Sequence, residues 1–149
     1  MSEQQYVVFK LAHEDYAINI MNVTEIIPFE EAVKLPNVPD FVEGVINYRG
    51  SVIPIICLQK KFSISLGKVD HNTRIIIINM EGKQVGFIVD EASQTMKIDD
   101  VQIDVTQNIS SNIDMKYING VAKIDDRLVI LVDLERVLTE EEKEEIGNL

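Results

Sequence analysis

The feature that most constrains this chain is the rhythm of its apolar runs. Isoleucine and valine recur in short stretches, each ending at turn-forming residues. Both side chains are stiff at χ1 and suit a pleated, half-buried surface. Runs too short for a helix and bounded by turns read as strands. Tyr6 to Leu11 and Tyr16 to Met21 form a hairpin about Ala12-His13-Glu14-Asp15, with Tyr16, Ile18 and Ile20 on one face. Asn22 to Ile27 reads as a short helical turn or bend stopped by Pro28, Pro36 to Asp40 as a loop, and Phe41 to Gly44 as a turn. Val45 to Tyr48 and Ser51 to Cys57 form a second hairpin about Arg49-Gly50. Pro54 lacks a backbone donor and is expected on an edge or a bulge. Gln59 to Phe62 reads as a helical turn. Ser63 to Asn72 is a polar linker, expected to pass between two halves of the molecule.

After the linker the pattern restarts. Thr73 to Asn79 and Gln84 to Asp90 are strands about Glu81-Gly82-Lys83, and Thr95 to Ile98 and Val101 to Val105 are weaker strands. Gln107 to Asp114 is a polar loop. Ile118 to Ile124 and Leu128 to Val132 are strands about Asp125-Asp126. A helix is expected from Thr139, where Thr139 and Glu142 fit a capping box and Glu140, Glu141 and Glu142 suit the positive end of the helix dipole. About ten short strands with helix only at the joints is an all-β pattern.

The chain also repeats itself weakly. Phe41-Val42-Glu43-Gly44-Val45 matches Tyr117-Ile118-Asn119-Gly120-Val121, and Val52 to Leu58 matches Leu128 to Leu134, at one offset of 76 (Gly44 to Gly120). Upstream, Tyr16-Ala17-Ile18-Asn19-Ile20 matches Val85-Gly86-Phe87-Ile88-Val89 at an offset of 69 (Tyr16 to Val85). Hairpins rich in isoleucine and valine resemble one another by chance. The shared order of hairpin, aromatic-x-x-Gly-Val turn and hairpin favours duplication of a five-stranded unit.

Composition narrows the function. The formal net charge of −11 opposes a nucleic-acid phosphate backbone or an anionic membrane surface and suits partners with basic patches. The single cysteine, Cys57, argues for a reducing compartment, and no signal peptide or membrane-spanning run is present, so a cytoplasmic location is expected.

Chemistry is harder to find. Both histidines, His13 and His71, fall in polar turns with no adjacent nucleophile, and Cys57 ends an apolar strand as a small core residue. No Cys-x-x-Cys or His-Glu-x-x-His metal pattern occurs. Asp99, Asp100 and Asp104 fail the calcium-loop pattern, since Asp104 and Ser110 stand where glycine and glutamate are needed. The seven glycines are scattered singly, unlike a phosphate loop. The expectation is a protein without catalytic residues, metal or cofactor. One oddity remains: Asn47-Tyr48-Arg49-Gly50 sets a cation at a hairpin tip, with Glu25 in the other defined bend of the same half. A solvated turn arginine is the plain account of it.

At these residues the chain resembles a known family. The segment from Phe41 to Ile56, with Gly-Val, Asn-x-Arg-Gly and a proline-bearing apolar strand, is similar to the signature of the CheW chemotaxis coupling proteins. Tyr16 to Ile20 with Val23-Thr24-Glu25-Ile26, Leu35 to Pro39, Val85 to Asp90 and Leu128 to Leu134 resemble further family segments, so the likeness runs from about Tyr6 to Leu138. It implies two intertwined five-stranded SH3-like β-barrels on a shared apolar core, over roughly residues 15–75 and 76–149 plus the N-terminal strand. It implies an adaptor, not an enzyme, joining the regulatory domain of the histidine kinase CheA to the cytoplasmic tip of methyl-accepting chemoreceptors. A module serving a related kinase or a receiver-linked system is the alternative. A small all-β enzyme is the reading from another class, and it would need a histidine buried against carboxylates. Carried over by position, Val23, Glu25, Ile26, Gly44, Asn47 and Arg49 are the partner-binding candidates, and Glu25 is the expected carboxylate for Arg49.

Overall fold

The computed structural model describes residues 3–64, 68–104 and 117–147. The alternating runs become β1 (Glu3–Leu11), β2 (Glu14–Asn19), β3 (Val23–Pro28), β4 (Val42–Tyr48), β5 (Ser51–Cys57), β6 (Arg74–Met80), β7 (Lys83–Val89), β8 (Glu91–Asp99), β9 (Ile103–Asp104), β10 (Ile118–Ile124) and β11 (Arg127–Val132). Short helices α1 (Leu58–Lys61) and α2 (Glu140–Gly147) follow β5 and β11, and 3-10 turns occupy Ile20–Asn22 and Asp100–Gln102. The strands pair as a six-stranded sheet, β8-β1-β2-β11-β10-β9, and a five-stranded sheet, β3-β6-β7-β5-β4.

The repeat survives in atomic detail. In the β4–β5 hairpin Val42 faces Ile56, a bulge intervenes, and Gly44 faces Ile55. In the β10–β11 hairpin Ile118 faces Val132, a bulge intervenes, and Gly120 faces Leu131, all at the offset of 76. The same offset relates the bond from Cys57 N–H to the Phe41 carbonyl, 2.7 Å, to that from Asp133 N–H to the Tyr117 carbonyl, 2.9 Å. The parallel pairs obey both offsets: Ile55 faces Gly86, and Leu131 faces Ala17.

The halves are exchanged. β6–β7 takes up β3, β4 and β5, whereas β1–β2 takes up β8, β9, β10 and β11. Each hairpin is thus completed by strands from the other repeat, as the intertwined reading expects. The sheets do not divide at residue 75, because β6 and β7 lie with β3, β4 and β5. Of the predicted linker from Ser63 to Asn72, residues 65–67 lie outside the described residues; α1 before it follows β5, and β6 after it joins the same sheet as β5.

Burial follows from this exchange. Ile75 and Ile77 point into the five-stranded unit with Ile27, Ile46, Ile53 and Ile55. Ile76 and Ile78 point the other way, into a central core with Val7, Phe9, Ile18 and Phe87. The six-stranded unit has its own interior of Val8, Ala17, Ile98, Ala122, Val129 and Leu131. A strand buried on both faces reads as a continuous apolar run, which explains Ile75 to Ile78. Truncating such an isoleucine to alanine costs about 2–5 kcal/mol.

Local departures from the sequence reading have definite causes. Val23 to Pro28 is a strand, not a bend, because β6 offers it a ladder; the bend is confined to Ile20–Asn22, where Asn19 Oδ1 accepts the Met21 N–H. Val42 and Gly44 belong to a strand, since the bulge absorbs what looked like a turn. Pro54 sits on an interior strand. Cys57 N–H points toward β4, so by alternation Pro54 faces β7, one residue before their ladder starts at Ile55 and Gly86. No ladder bond is lost there. The helix after Thr139 forms with the expected box: Thr139 N–H donates to Glu142 Oε1 at 2.8 Å and Glu142 N–H to Thr139 Oγ1 at 3.1 Å. Residues Val105 and Gln107 to Asp114 lie outside the described residues.

Candidate functional site

Arg49 and Gly50 have φ of 50° and 85°, so the β4–β5 tip is a two-residue turn with both central residues left-handed. That twist matches the flanking strands. Asn47 Oδ1 accepts the Gly50 N–H at 3.1 Å and fixes the turn. The same device recurs at the β6–β7 tip, where Asn79 Oδ1 accepts the Gly82 N–H at 2.9 Å. Asn47 is therefore a turn-forming residue as well as an exposed one.

Arg49 folds back from the tip. Its guanidinium carbon lies 5.4 Å from the Tyr48 ring centroid, and Nη2 lies 2.8 Å from Glu25 Oε1. The Tyr48 hydroxyl donates to the same carboxylate oxygen. This hydrogen bond, with some burial, raises the Tyr48 hydroxyl above its ordinary pKa, against the pull of Arg49. The expected Glu25–Arg49 pair is present, and Tyr48 is the member that sequence reasoning missed. Its position offered a signal: Ile46 faces the interior of the unit, so Tyr48, two residues on, continues that face out to the rim.

Glu25 belongs to β3 and Arg49 follows β4, and these are the two edge strands of their sheet. The contact therefore draws the two edges together. Beside it, the chain after β3 bridges to β4: Val33 N–H donates to the Val45 carbonyl at 2.8 Å and Val45 N–H to the Val33 carbonyl at 3.0 Å. The barrel is fastened by this bridge and by the Glu25–Tyr48–Arg49 cluster.

The other candidates are placed differently. Gly44 is buried in the β4 bulge, five residues from Arg49 along the strand, and a Cβ there would stand 2.0 Å from the Val33 carbonyl oxygen. Its φ of 141° also favours glycine. Val23 and Ile26 are half-buried against the central core. Ile27, not Ile26, follows Glu25 into the barrel interior. The structure thus gathers Glu25, Asn47 and Arg49, and sets Gly44, Val23 and Ile26 apart from them. His13 and His71 are exposed, without the burial against carboxylates that the enzyme reading requires. Cys57 is a buried core residue, and burial pushes its thiol up. Asp99 caps a 3-10 turn, accepting the Val101 N–H at 3.2 Å. Among the described residues no helix is long and apolar enough to cross a membrane.

An all-β scaffold of two exchanged barrel units, with a charged aromatic cluster at one rim, is the class that this fold and site define. Comparison with known proteins gives the family. The CheW-like domain matches residues 5–142. A chemotaxis protein CheW from Klebsiella aerogenes is 34% identical over 146 residues, covering 98% of this chain and 88% of the relative. One from Helicobacter pylori is 33% identical over 135 residues, covering 90% and 81%. A crystal structure of the scaffolding protein TtCheW from Thermoanaerobacter tengcongensis superposes with a TM-score of 0.86 at 34% identity, covering 96% of this chain and 92% of that one. The chain belongs to the CheW-like domain family, and its role is that of a CheW adaptor in chemotaxis signalling.

Proposed function

We propose that this chain is a cytoplasmic, non-enzymatic coupler that binds the regulatory domain of the kinase CheA and the cytoplasmic tip of chemoreceptors. It needs no metal or cofactor, no nucleic acid and no insertion into a membrane. The observation that carries the reading is the Glu25–Tyr48–Arg49 cluster. It presents an arginine, 72% exposed, on a hairpin tip whose turn is bonded by Asn47. A planar fork of donors held in one orientation by an aromatic face and a carboxylate is preorganised for a partner. Asn47 holds the turn. Val23, Ile26 and Gly44 act by fixing the courses of β3 and β4 on either side.

The exposed pair is worth only about 0–1 kcal/mol to the fold. An anchoring arginine at an interface commonly carries about 2 kcal/mol or more, over tenfold in affinity. Arg49→Ala should therefore melt like the wild type and lose binding to the CheA regulatory domain or to the receptor tip. Glu25→Ala should lose the same binding. The check is a thermal melt beside a titration of each partner. Unchanged binding of both partners by folded Arg49→Ala would refute the reading.

A further inference from the structure

β5 and β7 run parallel, but their ladder begins only at Ile55 and Gly86. Ahead of that pair the strands splay toward their hairpin tips. The splay opens a groove of about 630 Å³ lined by Tyr48, Arg49, Ser51, Val52, Lys83 and Gln84, among others. By the alternation that places Pro54 toward β7, the backbone N–H and carbonyl of Val52 also face the splay.

The other barrel shows what a closed version looks like. There β2 and β11 are parallel from Tyr16 and Ile130 and splay in the same way. The repeat offsets set Arg127 opposite Ser51 and Asp15 opposite Gln84. Arg127 reaches across to Asp15, with Nη2 at 3.0 Å and Nε at 3.3 Å from Oδ2. Lys10 Nζ adds its charge 3.3 Å from Oδ1. The pocket beside this ion pair is about 230 Å³ and is lined mostly from β1 and β8, by Val8, Lys10, Glu91 and Gln94. Ser51 and Gln84 are neutral and cannot form that ion pair, so the first splay stays open.

We infer that the open splay is a docking groove for an extended acidic segment of a partner protein, held between Arg49 on one wall and Lys83 on the other. The inference rests on the reading of Arg49 given above and adds the second wall and the chemistry of the occupant. Charge complementarity argues for it. In a chain of net charge −11, this groove is lined, among the described residues, by two cations and by no carboxylate. Glu25 pairs with Arg49 at 2.8 Å and offsets part of its charge, while the Arg49 side chain stays 72% exposed. Lys83 Nζ donates to the Gly147 carbonyl at the end of α2 at 2.5 Å, a neutral acceptor for which a docked carboxylate would compete. Val52, 61% exposed, supplies an apolar face for alternate side chains of an extended segment, and its backbone supplies strand-like bonds.

The test uses the full chain and a short labelled peptide of alternating glutamate and valine, followed by fluorescence anisotropy. Controls carry glutamine or lysine in place of glutamate. The glutamate peptide should bind, weaken as salt rises, and outbind both controls. Lys83→Gln keeps a donor for the Gly147 carbonyl but removes the charge, and should weaken binding by about fivefold. The double variant S51R/Q84D transplants the ion pair of the other barrel and should close the groove, abolishing peptide binding with the melting midpoint retained. Equal binding of the glutamine peptide, or no effect of Lys83→Gln, would overturn the inference. If Arg49→Ala loses the protein partners while both groove variants keep them and the peptide, the groove fails and the Arg49 reading stands. If the groove variants lose the peptide while Arg49→Ala binds both protein partners normally, the groove stands and the Arg49 reading fails.

Discussion

Gly44→Ala should unfasten the first barrel from inside. The added Cβ would lie 2.0 Å from the Val33 carbonyl oxygen and 2.6 Å from its carbon, both backbone atoms that no side-chain rotation can move away. The segment carrying Val33 has to retreat. Its two bonds with Val45, at 2.8 and 3.0 Å, then weaken or break. Two backbone hydrogen bonds are worth about 1 kcal/mol each. Holding alanine at a φ of 141° adds roughly 1–3 kcal/mol. The total is about 3–5 kcal/mol, against roughly 5–15 kcal/mol for a whole domain. For a domain of this size each kcal/mol shifts Tm by about 2–4 °C, so a fall of roughly 10 °C is expected. Thermal unfolding followed by circular dichroism measures it. Gly50→Ala is the control: its φ of 85° is also left-handed, but nothing lies within 4 Å of the added Cβ. It should cost about 1 kcal/mol. If Gly44→Ala melts with Gly50→Ala, the Val33 segment yields freely and the reasoning fails. Should Gly44→Ala keep its midpoint and still lose a partner, Gly44 acts by contact and not by backbone shape.

Two further outcomes follow from the same geometry. Tyr48→Phe removes the hydroxyl that shares Glu25 with Arg49 but keeps the ring beneath the guanidinium. It should leave the melting midpoint nearly unchanged and weaken partner binding less than Arg49→Ala does, as paired titrations would show. Burial alone would raise Glu142, but hydrogen bonds from the Lys61 ammonium and from Thr139 outweigh it and hold the carboxyl below its ordinary value of 4.5. A depressed carboxylate stabilises the fold above its unfolded pKa, and that contribution disappears as pH falls through the lower folded value. Wild type should therefore lose more of its melting midpoint between neutral and acid pH than Glu142→Gln does; equal losses would refute the assignment.

Much of the site was legible because its signals are local. An Asn-x-Arg-Gly hairpin tip needs only the turn rules that Asn47 and Gly50 satisfy, and the capping box at Thr139 is equally short-range. Glu25 can be chosen as the partner of Arg49 because both match the resembled family's functional region in the first half of the chain. Alternation from Ile46 signals the face of Tyr48, but only the closeness of β3 to β4 across the rim shows that its hydroxyl reaches Glu25. Val23 to Pro28 was misread because its polar start resembles a bend, and only the ladder from β6 makes it a strand. The packing at Gly44 is not legible, because nothing in the sequence reveals that Val33 lies against it. Periodicity assigns faces to a strand, but the sheet it joins is a tertiary choice. The repeat told that the halves are alike and could not tell that each completes the other.

That exchange raises a physical question, since a strand and its twin could in principle pair with either hairpin. The crossing from β7 to β8 carries an answer. Asp90 stands between them, and its N–H donates to the Lys10 carbonyl at 2.9 Å. Its carboxylate accepts the Ala12 N–H at 2.9 Å from the β1–β2 turn. Both its oxygens also accept from Gln59 Nε2 of α1, at 2.8 and 2.9 Å, and Gln59 is buried. One carboxylate thus ties the end of the β4–β5 hairpin to the tip of β1–β2, at the point where the chain leaves one sheet for the other. The repeat offset sets Met21 opposite Asp90, and Met21 is 86% exposed in a 3-10 turn capped by the Asn19 side chain and the Val23 N–H. The two crossings are therefore unequal. A half-buried carboxylate bonded to a buried amide favours this arrangement over its near-equivalents, because another pairing would leave the Gln59 amide without the Asp90 acceptor. The unlike crossings give an almost symmetric duplication a defined direction. With it comes one barrel whose splay is sealed by Arg127 and Asp15 and one whose splay is open beside Arg49.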